Sequence, residues 1–569
     1  MEIRINLLFI IVLSLSTLVS HATTRTINVS QLTGNLVAAL RTQVEGLNYT
    51  DKVILNFDKA GTYQMNGSVD FPCSVDIKGQ GASKTIVEFG IGEDHEGFQW
   101  MQGDTFFQMS GTAQNPIQVN IHDISFRLKP HRGLWWVLEK DNPLEKSQEK
   151  LAVKIIHANK VNIERVNSIM QNAMITNFDL RVCSNITIKD CEITNFNNCL
   201  TGGNLWIRGE VRNVHIAFNK FYKYGNDEMI AFFGKDIDAY THETRSLCPK
   251  ENIVIENNYL CYGGYNEPDK NEDFFCHVLL AFFTNENETN ATCNYRNFSF
   301  KDNKIDILEP MRINFKLSFN DGDCYSNMRV TGNMIHNKCS RIEPKRYMQD
   351  FDIVGPLQAG EPVIIARNST INDYPVIAPW GGTAYFHLFV DGAQVLYQDN
   401  VLNDNTSSYG DIKTGCRFLW ASKRGGMLSL KKNELKGLYM LASLASGDGI
   451  GPITLNATSN TFAGDTRIYC DNVEKLDLNF TGNMFCSSNS NFFLQEAAQE
   501  NTLVFWGNTV IAPQGSLLMQ HWTNVPIQSM KFNHLEVIGN IFHGVEAQSL
   551  LDNIYCEGSQ EVKSNTFLP

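Results

Sequence analysis

Three groups of residues have types and spacings that could do chemistry. The first is acidic: Asn226-Asp227-Glu228 stands just before an apolar run, and Asp236, Asp238, His242 and Glu243 follow in a polar stretch. Two carboxylates flanking a glycosidic bond can serve as acid and as base or nucleophile, the roles open to Asp227 and Glu228. Oxygen ligands such as Asp236 and Asp238 could instead hold Ca²⁺ against an anionic substrate. The second group is basic. In Met311-Arg312-Ile313-Asn314-Phe315-Lys316, strand alternation puts Arg312, Asn314 and Lys316 on one face. A Lys or Arg in a suitable setting can take the proton beside a carboxylate in an elimination. The third group is aromatic and basic: Lys129, His131, Arg132, Trp135 and Trp136. A Trp offers a flat apolar face to a sugar ring, and an adjacent Arg can pair with a carboxylate. Adjacent Trp residues on a strand point opposite ways, so one of the two would reach a ligand. Trp380, before Gly381-Gly382, forms a smaller group of this kind with His387. Each group also has a plain reading: a solvated turn, a wet strand face, or a loop anchored by its tryptophans.

Other chemistry finds no support. The chain has no Gly-rich phosphate loop, no Gly-x-Ser-x-Gly elbow and no His-Glu-x-x-His. Its formal net charge of −13 argues against nucleic acid as a partner, because that needs a basic stripe. The same charge disfavours acidic polymers unless a local basic patch or a bridging cation reverses the field.

The N-terminus reads as an export signal. Arg4 supplies a positive start, Ile5 to Val19 is largely apolar, and Ser20-His21-Ala22 suits cleavage after Ala22. That run is too short and too Ser/Thr-broken for a membrane span, and no later stretch approaches spanning length. Residues 1–22 are therefore expected to be removed, leaving a protein in the periplasm, on the cell surface or in the medium, with no integral membrane segment. The 14 Cys are scattered with no Cys-x-x-Cys pair, so most are expected to pack as small apolar residues, and zinc is not expected.

The elements that must position these residues come from a repeat. The unit reads apolar, any, apolar, two of any kind, Asn, any, apolar. It is clear at Val214/Ile216 with Asn219 and Phe221, and returns with Asn258, Asn303, Asn333, Asn368, Asn400, Asn433, Asn460, Asn483, Asn508, Asn540 and Asn565. Cys191 takes the Asn place in an earlier copy, and imperfect copies lie around Asn167, Ile124 and Gln80. From Asn433 onward the steps are 27, 23, 25, 32 and 25 residues, which suits a coil with variable loops. Period-two alternation means short strands. Stacked coils align equivalent positions roughly 4.8 Å apart, so the Asn residues can form an amide ladder. Met229–Phe233, Val278–Phe283, Arg417–Trp420, Arg467–Cys470 and Asn491–Leu494 supply a second strand per coil, and a third is plausible.

The expected fold is all-β: a right-handed parallel β-helix of about 13–15 coils over residues 51–569. Residues 23–50 form an N-terminal strand and a capping helix, with Ser30 as N-cap and Leu32, Leu36, Leu40 and Val44 on one face. Insertions at about 91–115, 128–151, 234–250, 262–276, 284–297 and 340–360 point to a groove across the coils between about 90 and 400.

This pattern resembles the pectate-lyase-like right-handed β-helix superfamily. Val75-Asp76-Ile77-Lys78-Gly79-Gln80-Gly81, followed by Lys84-Thr85-Ile86, is similar to the opening coils of many exported members. The resemblance implies a polysaccharide or other glycan as partner, cut by β-elimination or hydrolysis, or bound without cleavage as in a surface adhesin; a monomer is favoured. It carries over no catalytic residue. The Asn-Thr-Asp, Asp-Asp, Gly-His-Gly and Arg-Ile-Lys strings of polygalacturonase-like enzymes are absent, as are the Trp-Ile-Asp-His and Arg-x-Pro-x-x-Arg strings of pectate lyases.

Overall fold

The computed structural model describes residues 22–569 apart from 91, 94–98, 101–104, 129–149, 172–174, 197–201, 226–227, 234–248, 266–275, 285–293, 310, 321, 340–347, 356–359, 374–384, 407–415, 422, 487–493, 496–499, 513–529 and 548–553. The export signal, Asp227, Asp236, Asp238, Arg132, Trp135, Trp136 and Trp380 lie outside the described residues.

The alternating apolar pattern produces three stacks of short strands. The first sheet collects the strands that precede each Asn turn, from Thr24–Asn28 to Ile554–Lys563. The second collects those that follow it, from Gly61–Met65 to Thr566–Leu568. The third runs from Val69–Phe71 to Leu494–Gln495 and takes in apolar runs singled out in the sequence, such as Ile230–Phe233 and Cys416–Ala421. Neighbouring coils pair in parallel, one strand above another of the same kind. The chain is a parallel β-helix. Among the described residues the third sheet has fourteen rungs, within the expected coil count, and the first has eighteen. The first is longer by Thr24–Asn28 at one end and by Glu500–Trp506, Met530–Ile538 and Ile554–Lys563 at the other, coils with no third-sheet strand among the described residues.

Inward positions form continuous apolar columns. Ile163, Ile188, Ile216, Ile255, Phe300, Val330 and Ile365 stack in successive coils, all fully buried. Each such side chain contributes roughly 1.5–3 kcal/mol through removal of apolar surface from water. The expected Asn ladder runs from Asn219 to Asn565. Each amide nitrogen donates to the next Asn Oδ1, as from Asn368 to Asn400 at 3.0 Å, and to a backbone carbonyl of the coil before, here Val330 at 2.9 Å. A lone buried amide would be costly, but in this stack donors and acceptors are matched. Cys191 ends the ladder by giving its backbone N–H to Asn219 Oδ1 at 2.9 Å. Eight of the eleven described cysteines are buried.

One helix, Leu36–Val44, packs Val37, Leu40 and Val44 into the core beside the first strands of the second and third sheets. Its N-cap is Asn35, whose side chain accepts the Ala38 N–H at 3.0 Å. Ser30 is not the cap. It sits in a 3-10 turn, and its hydroxyl donates to Asp58 instead. No helix among the described residues is long and apolar enough to cross a membrane.

Candidate functional site

By chain position, most of the long connecting segments adjoin third-sheet strands. Segments 129–149, 266–275, 340–347, 374–384 and 407–415 each lead from a second-sheet strand into a third-sheet strand. Segments 234–248 and 285–293 follow third-sheet strands. By chain position, then, the loops carrying Arg132, Trp135, Trp136, Asp227 and Trp380 all lead into this sheet, and the one carrying Asp236 and Asp238 leaves it.

Third-sheet strands break the usual alternation near their start. Two consecutive residues are buried in each: Asn204–Leu205, Leu279–Leu280, Asn314–Phe315, Asp350–Phe351, His387–Leu388 and Phe418–Leu419. Beyond this break the next position forms the outer row. Register aligns Lys154, Asp179, Trp206, Ala231, Ala281, Lys316, Asp352, Phe389 and Trp420 on nine successive rungs.

At the N-terminal end of this row, Asp179 Oδ2 accepts from Arg181 Nη2 at 2.7 Å, and Arg208 Nε lies 3.3 Å from Asp179 Oδ1. The Arg208 guanidinium stacks on Trp206 and Phe233, each at 4.8 Å. Trp206 covers Ala231 and Ala281 to make an apolar patch separate from the core. Lys316 and Asp352 come next, side by side on neighbouring rungs. Asp352 is 6 % exposed, and its Oδ1 has no hydrogen-bond partner. Burial pushes its carboxyl up to about 6, against the pull of Lys316 downward, a push from Asp391 and a smaller pull from Arg312. A carboxyl near neutrality beside a half-buried ammonium can exchange a proton at physiological pH.

This geometry sorts the residues expected from sequence. Lys316 lies on the outer row as expected. Asn314 does not: it is fully buried and donates to Asp350 Oδ1 at 2.7 Å, because the break in alternation separates it from Lys316. Arg312 precedes the break and acts on Asp352 through its charge. Glu228 is half-buried, at the position matching Ile313 and Gln349 two and three rungs on.

His387 is corrected as a substrate contact, because it is enclosed. Its Nδ1 lies 2.7 Å from Asp350 Oδ2 and its Nε2 2.7 Å from the Tyr397 hydroxyl, between Phe351 and Phe418. Asp350 also accepts from Asn314, Asn337 and the Tyr385 hydroxyl, so four donors fill its two oxygens. This internal polar cluster ties the second sheet to the third.

Sequence reasoning missed Asp352. It falls in the 340–360 insertion, which contains the strand Met348–Val354. Aligning Phe351 with Phe315 would have set Asp352 beside Lys316.

No protein-family model matches the chain, and no curated protein does. Among solved structures, the catalytic domain of a GH87 alpha-1,3-glucanase matches with 10 % identity, covering 96 % of this chain and 69 % of that one, at a TM-score of 0.32. The Family 28 exopolygalacturonase of Yersinia enterocolitica matches at 7 % identity, covering 91 % and 78 %, with a TM-score of 0.27. Tailspike protein 3 of bacteriophage CBA120 matches at 10 % identity, covering 95 % and 59 %, with a TM-score of 0.23. The fold is a parallel β-helix, established by its three parallel stacks.

Proposed function

We propose that this chain is an exported enzyme that cleaves an acidic polysaccharide by β-elimination on the outer face of the third sheet. The observation that carries the reading is Asp352, a buried carboxyl whose Oδ1 has no hydrogen-bond partner, on the rung next to Lys316. Burying such a group costs stability, and a fold whose Asn ladder matches its donors and acceptors has no packing need for it. Lys316, with the field of Arg312, would hold the uronate carboxylate and stabilise the charge that develops on it. Asp352, ionised near neutral pH, would take the ring proton next to the carboxylate; as the double bond forms, the C–O bond to the leaving sugar would break and its oxygen would take a proton from solvent.

Geometry disfavours hydrolysis by Asp352 with Glu228. Three rungs separate their strands, roughly 14 Å along the stack, beyond the roughly 6.5–9.5 Å of an inverting pair. Export follows from the N-terminal signal, with residues 1–22 removed and residues 51–569 forming a single β-helix domain. A Ca²⁺ ion at Asp236 and Asp238 would assist by neutralising a neighbouring carboxylate.

The test is incubation of the purified protein with a panel of uronate and neutral polysaccharides, with and without Ca²⁺. Unsaturated product seen by ultraviolet absorbance, together with new reducing ends, is the expected result. Reducing ends without absorbance would mean hydrolysis. Binding without either would leave a glycan-binding protein and sink the enzyme.

A further inference from the structure

Two rungs beyond Asp352, roughly 10 Å along the stack, the third sheet carries a second unbalanced charge. Arg417 is half-buried, its Nε is buried without a hydrogen-bond partner, and no carboxylate among the described residues pairs with it. Its guanidinium instead lies over two aromatic rings, Phe386 at 5.6 Å and Tyr439 at 5.9 Å. Trp420 packs against Phe386 at 4.9 Å and is half-buried on the outer row.

The nearby Arg467 is handled differently. Its Nε lies 2.8 Å from Asp465, it donates to the Tyr439 carbonyl at 3.2 Å, and it stacks on the Tyr439 ring at 4.6 Å. Arg467 is thus neutralised and fixes Tyr439, whereas Arg417 is left with its full charge. A β-bulge makes this arrangement. Cys416 pairs with Leu438 but Arg417 with Met440, so Tyr439 is the extra residue. Bulges of this kind re-aim side chains and recur beside functional sites.

Ring faces lower the cost of holding a cation out of water, but they leave its N–H donors unused. A planar fork of free donors beside a Trp face fits a sugar ring that bears an anionic group. We infer that Arg417, with Phe386, Trp420 and Tyr439, forms a separate subsite that seats a carboxylate- or sulfate-bearing sugar of the glycan lying along the third sheet. This rests on the reading that a glycan lies there, but not on Asp352 being the base.

The test measures binding by calorimetry in an Asp352→Asn background, so that substrate is not consumed. The probes are a uronate oligosaccharide, a sulfated oligosaccharide and a neutral cello-oligosaccharide of equal length. Arg417→Gln should weaken binding of at least one charged probe about tenfold, the scale of one charge-assisted contact, and leave the neutral probe unchanged. Whichever charged probe responds identifies the anionic group. Arg417→Lys, which keeps the charge and guards against a folding defect, should retain part of that affinity. Equal loss for charged and neutral probes, no loss with either charged probe, or no binding by any probe would overturn the subsite. If Asp352→Asn still cleaves while Arg417→Gln loses only charged-probe affinity, the subsite stands and the proposed base falls.

Discussion

Replacing Asp352 with Asn should stabilise the protein while abolishing cleavage. In the folded chain burial pushes this carboxyl from 3.8 to about 6. Below the lower value the group is protonated in both folded and unfolded states, and its titration contributes nothing to stability. As pH rises past that point the unfolded chain releases the proton while the folded chain retains it. Stability therefore falls until the folded group also ionises near the upper value, and above it the full penalty persists. Two pKa units correspond to about 3 kcal/mol. Asn matches the shape of the protonated acid and never ionises, so it should lift the penalty at about pH 7.5 and change little at about pH 3.5. Burial also pushes Asp404 up to about 6, and it imposes the same trend on both proteins. The quantity to read is therefore the difference between variant and parent. Guanidinium unfolding midpoints at a series of pH values supply it, with unsaturated-product formation recorded on the same preparations. A variant no more stable than the parent at neutral pH, or a difference flat across the acid range, would refute the assignment of a strained, uncompensated carboxyl.

Three further outcomes follow from the same geometry. Lys316→Met removes the largest pull keeping Asp352 ionised, so the acid limb of the kcat/KM profile should move above about 6 as kcat falls; an unmoved limb would uncouple the pair. Asn368→Ala strips the buried Val330 carbonyl and the Asn333 N–H of their side-chain partner, costing about 2–6 kcal/mol, whereas Asn565→Ala at the partly buried end of the ladder should cost less; equal unfolding midpoints for the two variants would contradict the ladder. His387→Phe should lower the unfolding free energy by about 3–5 kcal/mol by breaking the bonds to Asp350 and Tyr397, yet leave kcat/KM of the folded fraction unchanged; a selective loss of kcat would return His387 to the site.

The ladder was fully legible in the sequence because its physics demands one residue type at one place in every coil. Each Asn must both accept from one neighbour and donate to another, so Asn219 through Asn565 repeat visibly despite uneven spacing. The third-sheet strands were visible as apolar runs, but their register was not. Insertions precede most of them, and the phase between Lys316 and Asp352 is lost across residues 340–347. Strict alternation also failed there. Asn314 and Phe315 both turn inward, so Arg312, Asn314 and Lys316 do not share one face. His387 stood out in the sequence through its closeness to Trp380 and Gly381-Gly382, and only the facing Asp350 and Tyr397 show it turned inward.

The ladder and the outer side of the third sheet differ in how their buried polar atoms are matched. Along the Asn turns, buried donors and acceptors are matched coil after coil. On the outer side of the third sheet the same chain leaves Trp206 Nε1, Asp352 Oδ1 and Arg417 Nε buried without partners. A scaffold able to satisfy a dozen stacked amides could have satisfied these three by substitution with apolar residues, at a gain in stability. Their opposite charges also stand apart, because Arg417 lies two rungs from Asp352, roughly 10 Å along the stack, and three residues out of the column that aligns Asp352 with Trp420. What would satisfy both is an elongated ligand lying along the stack axis, presenting a proton to one and an anionic group to the other. A chain of acidic sugars has that form, and a compact small molecule does not.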